Sequence, residues 1–123
     1  MTMVKVKVNN QRLEDLLCCA LEGGSNYWYT ITHYNYPPGE TSETSSLEYP
    51  HLELPFKGGS VIIEDQFDDF PEKELDMDAI EQGIQLLERL YPGLFADFIK
   101  ENEDATTGDI FLQLCLYGEV IYG

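Results

Sequence analysis

The chain has few basic residues. Lys and Arg together number 7 among 123 residues, against 23 Asp and Glu, so the formal net charge is -16 at pH 7. A field of this sign repels phosphate backbones, whose binding depends on Lys and Arg side chains that displace counterions. The shortage of basic residues excludes ordinary binding of DNA or RNA, and it disfavours association with anionic membrane surfaces.

Long apolar runs and cysteine frameworks are also lacking. No run approaches the roughly 18 apolar residues that a membrane-spanning helix requires. The first ten residues lack the apolar stretch and cleavage site of a secretory signal, so we expect a cytoplasmic protein. The three cysteines, Cys18, Cys19 and Cys115, form neither a Cys-x-x-Cys pair nor a disulfide framework, and we expect free thiols.

Sequence patterns of metal sites and of catalysis are missing as well. Two histidines are too few for a His-rich zinc site, and the acidic residues lack the Asp-x-Asp-x-Asp-Gly spacing of a calcium loop. Neither Gly-x-Gly-x-x-Gly nor a P-loop occurs. A triad of Ser25, His33 and an acid is conceivable, but no nucleophile-elbow pattern accompanies it. We therefore predict no metal, no cofactor and no enzymatic activity.

Apolar content is ample despite the charge. Hydrophobic residues make up 43% of the chain and aromatic residues 12%, which is not the composition of a disordered chain. A chain of 123 residues is near the commonest size of one domain. We predict a single compact domain over residues 1–123.

Alternation and β-branched or aromatic content predict the strands. Val4 to Val8 alternates valine with lysine, and Tyr27 to Tyr36 is rich in aromatic residues. Shorter strands are predicted at His51 to Leu54 and Ser60 to Glu64. Before these two strands, residues from about 39 to 50 are rich in Ser, Thr and Glu, and we expect an exposed loop there.

Apolar spacing and end signals predict four helices. The first covers Gln11 to Glu22, with Gly23 and Gly24 as a left-handed stop. The others cover residues 77–90, capped by Asp76, residues 92–100 after Pro92, and residues 109–117, capped by Thr106 or Thr107. The order of elements lacks regular βαβ alternation. It predicts an α+β fold, a small antiparallel or mixed sheet with three to four helices packed on it.

The junction of the first helix with the aromatic strand is the sharpest local feature. Two glycines precede Ser25, Asn26 and three aromatic residues, so backbone N–H groups and stacking rings lie close together in sequence. A second polar group follows near the C-terminus. One interpretation is a pocket for a base or ribose; the other is that these residues cap the helix and fill the core. The predicted ligand-binding residues are Gly24, Ser25, Asn26, Tyr27, Trp28, Asp104, Thr107, Asp109 and Gln113.

The segment from Glu64 to Asp78 is strongly acidic. It contains eight acids and one Lys73, a local net charge of -7. Such a stretch is either a solvated face or a docking surface for a basic partner, including mimicry of nucleic-acid phosphates. We expect Phe67 and Phe70 to anchor it to the core. The candidate docking residues are Glu64, Asp65, Asp68, Asp69 and Glu72.

Two stretches, ALEGGSNYWY at residues 20–29 and DATTGDIFLQLCLYGEVIYG at residues 104–123, carry a resemblance. They resemble stretches of small acidic accessory proteins encoded by phages, prophages and other mobile elements. That group has no firmly assigned activity, so the resemblance implies a context and no mechanism. Many phage accessory genes disable bacterial immunity.

Two binding functions fit this context. In the first, the protein, as a monomer or as a homo-oligomer, sequesters a nucleotide-type immune signalling molecule in the cytoplasm of the infected bacterial host without cleaving it, and Trp28 stacks on the base. Its weakness is the shortage of basic residues, since Arg12, Lys57 and Arg89 would have to meet the phosphates. In the alternative, an acidic inhibitor mimics nucleic acid and blocks a host defence nuclease or regulator. The sequence favours the first function only slightly.

Overall fold

The structure, a computed structural model, describes residues 8–123. Apart from Val8, the strand predicted at Val4 to Val8 lies outside the described residues. Within the described part, the fold contains five helices and one three-stranded sheet, and the predicted α+β class is confirmed. The helices are α1 Asn10–Cys19, α2 Pro50–Glu53, α3 Met77–Leu90, α4 Pro92–Ile99 and α5 Ala105–Tyr117. The strands are β1 Tyr29–Asn35, β2 Ser60–Asp65 and β3 Lys73–Leu75.

The sheet is antiparallel with the order β1-β2-β3. Tyr29 pairs with Asp65 at one end of the β1–β2 ladder, and the register shifts once, between Ile31 and His33. One face of the sheet is apolar, because Val61 and Ile63 of β2 are fully buried. Helix α5 packs against α1, α3 and the turn after α1, and almost every side chain from Phe111 to Leu116 is buried. The C-terminal helix is therefore the centre of the core.

The two middle helices match their predictions. The Asp76 side chain accepts a hydrogen bond from the Ala79 N–H at 2.9 Å and caps α3, which ends at Leu90 as expected. Helix α4 begins at Pro92, whose fixed φ suits a first turn. Helix α5 also ends where expected, but it begins four residues early. The N-cap is Asp104 and not Thr106 or Thr107. The Asp104 carboxylate accepts the otherwise free N–H of Thr107.

Three local predictions are wrong. Residues 51–54, predicted as a strand, form α2 and the start of a 3-10 turn, since Pro50 stands at the first helical position. Strand β3 lies inside the acidic segment, where no strand was expected. The glycines after α1 are not a left-handed stop. Gly23 and Gly24 close a π-helical turn, Ala20–Gly24, and neither has a positive φ.

None of the helices in the described residues is both long enough and apolar enough to cross a membrane.

Candidate functional site

The two stretches singled out in the sequence meet at the carboxylate of Asp109. Its Oδ1 accepts hydrogen bonds from Ser25 Oγ at 2.8 Å, Trp28 Nε1 at 2.7 Å and Gln113 Nε2 at 3.2 Å. Its Oδ2 accepts one from the Tyr27 hydroxyl at 2.6 Å. Five of the nine predicted ligand-binding residues are thus brought together, and they bond to one another.

Glycine makes this meeting possible. A Cβ on Gly24 would collide with the backbone oxygen of Ala105, the first residue of α5. A Cβ on Gly108, one turn later, would lie 2.6 Å from the backbone nitrogen of Ala20. The turn after α1 therefore rests directly on the backbone of α5. This close approach places Ser25 and Trp28 within reach of Asp109.

Gln113 extends the network to the C-terminal segment. Its Oε1 accepts the N–H groups of Ile121 at 2.7 Å and Tyr122 at 2.8 Å, and its Nε2 also donates to the Tyr122 carbonyl at 3.1 Å. A buried amide that fills all these bonds fixes its neighbours strongly, because any unmade bond would be costly. Gln113 thereby holds residues 121–122 against α5.

Trp28 has no face open to a ligand in this arrangement. The side chain is fully buried, with the ring of Tyr122 stacked on it at 5.3 Å and that of Tyr117 at 5.9 Å. Tyr27 beside it is 46% exposed, and burial together with its bond to Asp109 raises its pKa to about 12. The Asp109 network, built from Ser25, Tyr27, Trp28, Asp109 and Gln113, therefore packs α5 against the turn and the C-terminal segment.

The other predicted ligand residues have separate places. Asp104 and Thr107 bond to each other in the α5 cap, and the Thr107 N–H lowers the pKa of Asp104. Asn26 is exposed, and its backbone carbonyl accepts a hydrogen bond from the side-chain Nε2 of Gln66 at 3.3 Å.

The basic residue nearest to the α5 cap is fully engaged. The Arg12 guanidinium donates to the Phe98 carbonyl at 2.9 Å and to both oxygens of Glu103, and it lies over the Phe98 ring at 4.9 Å. It joins α1 to α4 and to the connection before α5. Arg12 is therefore not free to meet a phosphate there.

The acidic surface is organised by one buried carboxylate. Asp65, at the end of β2, is 2% exposed and accepts the N–H groups of Phe67, Asp69 and Phe70. Burial opposes its ionisation, but these three bonds outweigh burial and lower its pKa. Asp65 therefore does not face a partner. It shapes the β2–β3 loop, residues 66–72, whose acids Asp68, Asp69 and Glu72 are exposed.

The β2–β3 loop carries two phenylalanines at the surface. Phe67 is 55% exposed and packs on Tyr122 at 5.5 Å, while Phe70 is 37% exposed and packs on Tyr117 at 5.1 Å. Both rings touch the molecule on one side, as expected of anchors, but each leaves much of its area to solvent. No sequence pattern predicted that Tyr117 and Tyr122 lie beneath these two rings.

Two carboxyl groups meet beside the loop. The Glu64 carboxyl lies against that of Asp68, and this contact raises the pKa of Glu64. Asp68 has a φ of 55°, a left-handed conformation that Asp tolerates better than most residues. Like charges are crowded here, and residues 66–72 hold no Lys or Arg.

Surface recesses lie away from the Asp109 network. One of about 610 Å³ runs along β1 and is lined by residues 32–36 and 40–42. Another, of about 360 Å³, lies between Pro37, Gly59 and Glu74. Within residues 8–123, no group of three or more His, Cys, Asp or Glu side chains is arranged to hold a metal ion.

No protein-family model, no curated protein and no solved structure matches the chain.

Proposed function

We propose that the protein acts by binding a basic partner protein through the β2–β3 loop. The observation that carries the proposal is the loop itself, in which a buried carboxylate fixes the backbone while two phenylalanines and three acids face solvent. Exposed aromatic residues are typical anchors of protein interfaces, and a loop held in its bound shape loses little entropy on binding.

The charge indicates the nature of the partner. A net charge of -16 accelerates the approach of a basic surface and repels other acidic molecules. Basic surfaces of this kind occur on proteins that bind nucleic acid. Together with the resemblance to phage accessory proteins, this supports an inhibitor that covers the nucleic-acid channel of a host defence nuclease or its regulator. The activity is inhibition by occupancy, without catalysis.

The experiment is affinity capture from bacterial lysate with two charge-reversed variants. Asp69→Lys with Glu72→Lys changes the charge of the β2–β3 loop, and Glu81→Lys with Glu88→Lys makes the same change of charge on the exposed face of α3. We expect one basic protein to be captured by the wild type and the α3 variant and to be lost from the loop variant. Equal capture by all three proteins, or loss from both variants, would contradict the proposal.

Sequestration of a nucleotide-type signal is a second candidate. It is supported by the meeting of the two sequence stretches, which leaves Asn26 and Tyr27 exposed beside Asp109. Such a ligand would have to bind at the surface around Asn26 and Tyr27, since the side chain of Trp28 is fully buried.

Thermal unfolding with a panel of cyclic dinucleotides and ADP-ribose derivatives tests this candidate. A ligand at about 100 times its Kd adds roughly 2.7 kcal/mol, which moves the midpoint by several degrees. Recovery of the intact ligand would support sequestration, and the shift should disappear with Asn26→Ala. No shift with any compound would remove this candidate.

A further inference from the structure

Four aromatic rings pack together where the β2–β3 loop meets the end of α5 and the C-terminal segment. Phe67 contacts Tyr122, Phe70 contacts Tyr117, and the two tyrosine rings lie 6.4 Å apart in an edge-to-face arrangement. The ring of Trp28 packs against both tyrosines from the core side. We call Phe67, Phe70, Tyr117 and Tyr122 the aromatic cage.

Two polar atoms of the cage have no hydrogen-bond partner. They are the hydroxyls of Tyr117 and Tyr122, and both are buried. Burial raises the pKa of Tyr117 to about 12, and the Tyr122 hydroxyl approaches the Asp65 carboxylate without forming a hydrogen bond of good geometry. Buried hydroxyls in native proteins are nearly always bonded, because an unmade bond to a buried group is costly. A ligand that donates to them removes this cost.

The charged side chains that shift the pKa values of the two cage tyrosines are carboxylates. The negative charge of Asp65 raises the pKa of both tyrosines, and that of Asp69 raises the pKa of Tyr122. Asp68 and Glu72 complete the loop, which contains no cation. Aromatic faces attract cations through their quadrupole, and carboxylates attract them directly. The site therefore suits a positively charged donor and repels an anion.

We propose that the aromatic cage receives the guanidinium group of an arginine on the basic partner. This inference rests on the proposed function and names the contact that provides it. A guanidinium is planar and carries five donors, so it stacks between rings while it donates to the tyrosine hydroxyls and the neighbouring carboxylates. Entry requires Phe67 and Phe70, which are 55% and 37% exposed, to turn away from the tyrosine rings on which they pack.

The first test uses a small probe and needs no partner. The aromatic NMR signals are followed while N-acetyl-arginine amide is added, with N-acetyl-citrulline amide as the neutral control of the same shape. We expect saturable shifts of the cage signals with arginine and none with citrulline. The inference is overturned if arginine gives no saturable shift, if citrulline acts equally, or if Tyr49, far from the cage, responds as strongly.

The second test removes the hydroxyls alone. Because they are unpartnered, Tyr117→Phe and Tyr122→Phe should leave the free energy of unfolding unchanged or higher, while the affinity for the arginine probe falls by about threefold or more. Tyr49→Phe is the matched control, since Tyr49 is exposed. Loss of stability in the cage variants, or unchanged affinity, would overturn the inference.

The two proposals fail separately. If the arginine probe binds the cage but capture yields no basic protein, the proposed function fails and the cage stands. If a basic protein is captured through the β2–β3 loop but both cage variants bind it like the wild type, the cage assignment fails and the docking surface stands.

Discussion

Asp109→Ala should cost the protein much of its stability. Among residues 8–123, the Asp109 carboxylate is the only acceptor of the Ser25 hydroxyl and of the Trp28 indole N–H, both of which are fully buried, and the substitution removes it. Gln113 retains a bond to the Tyr122 carbonyl, and the Tyr27 hydroxyl turns to water because that residue is exposed. Each stranded buried donor costs about 1–3 kcal/mol, so the sum is roughly 2–6 kcal/mol. The whole free energy of unfolding of a typical domain is about 5–15 kcal/mol.

Asp109→Asn should cost far less. All three buried donors bond to Oδ1, which an asparagine keeps, while the new amide nitrogen faces the Tyr27 hydroxyl, which is able to turn and accept. Only the charge is lost, and hydrogen bonds to charged groups are worth about 1 kcal/mol more than neutral ones. We expect a loss of roughly 1–2 kcal/mol, clearly smaller than for alanine.

Urea unfolding followed by the fluorescence of Trp28, the single tryptophan, measures both changes. Asp97→Ala on the exposed face of α4 controls for the removal of one negative charge and should stay within about 0.5 kcal/mol of the wild type. A loss below about 1 kcal/mol for Asp109→Ala would refute the claim that these bonds hold the core together. Equal losses for alanine and asparagine would refute the assignment of the buried donors to one oxygen.

Three further predictions concern stability. Gly24→Ala should destabilise the protein by about 2 kcal/mol or more, because the added Cβ would collide with the Ala105 backbone. Gly93→Ala should stabilise the protein by about 0.5–1 kcal/mol, because the added Cβ in α4 meets only open space; urea midpoints of the two variants that move in the same direction would contradict this contrast. Asp65 has a lowered pKa, so its contribution is present above its ordinary pKa of about 3.9 and is lost as the pH falls towards the folded pKa. The difference in unfolding free energy between wild type and Asp65→Asn should therefore be constant above about pH 5 and shrink below about pH 4. A difference that grows on acidification would contradict the lowered pKa of Asp65. Finally, since the net charge is -16, about 0.5 M NaCl should raise the thermal midpoint relative to about 0.02 M by screening self-repulsion, and a lower midpoint in salt would mean that attractive ion pairs dominate.

Local signals predicted the elements whose ends carry them. Helix α3 has a capping aspartate, a regular apolar stripe and a following proline, and its predicted bounds are confirmed. In α5 the polar threonines of the first turn hide the apolar period, so the predicted start came too late. Strand β3 is only three residues long and pairs with β2 across the acidic loop, so its three residues are too few to show alternation.

The candidate site depends on contacts between distant residues. Trp28 and Asp109 are 81 positions apart, and the sequence suggests that their neighbourhoods matter without showing that the two side chains bond to each other. The same holds for Phe67 and Tyr122, which meet only because Gln113 holds the C-terminal segment in place. Composition did predict an acidic surface. It did not show that Asp65 would be buried, since an aspartate that accepts three backbone N–H groups looks like any other in sequence.

Competition measures directly whether the β2–β3 loop occupies a nucleic-acid channel. The captured partner is bound to a fluorescently labelled nucleic acid, and anisotropy is followed as the wild type, the loop variant Asp69→Lys with Glu72→Lys, or the α3 variant Glu81→Lys with Glu88→Lys is added. The wild type and the α3 variant should displace the nucleic acid, and the loop variant should need at least about tenfold more protein, since each 1.4 kcal/mol of lost binding is tenfold in affinity. Anisotropy that stays high while the wild type is bound, or displacement by the loop variant at the same concentration, would contradict the account.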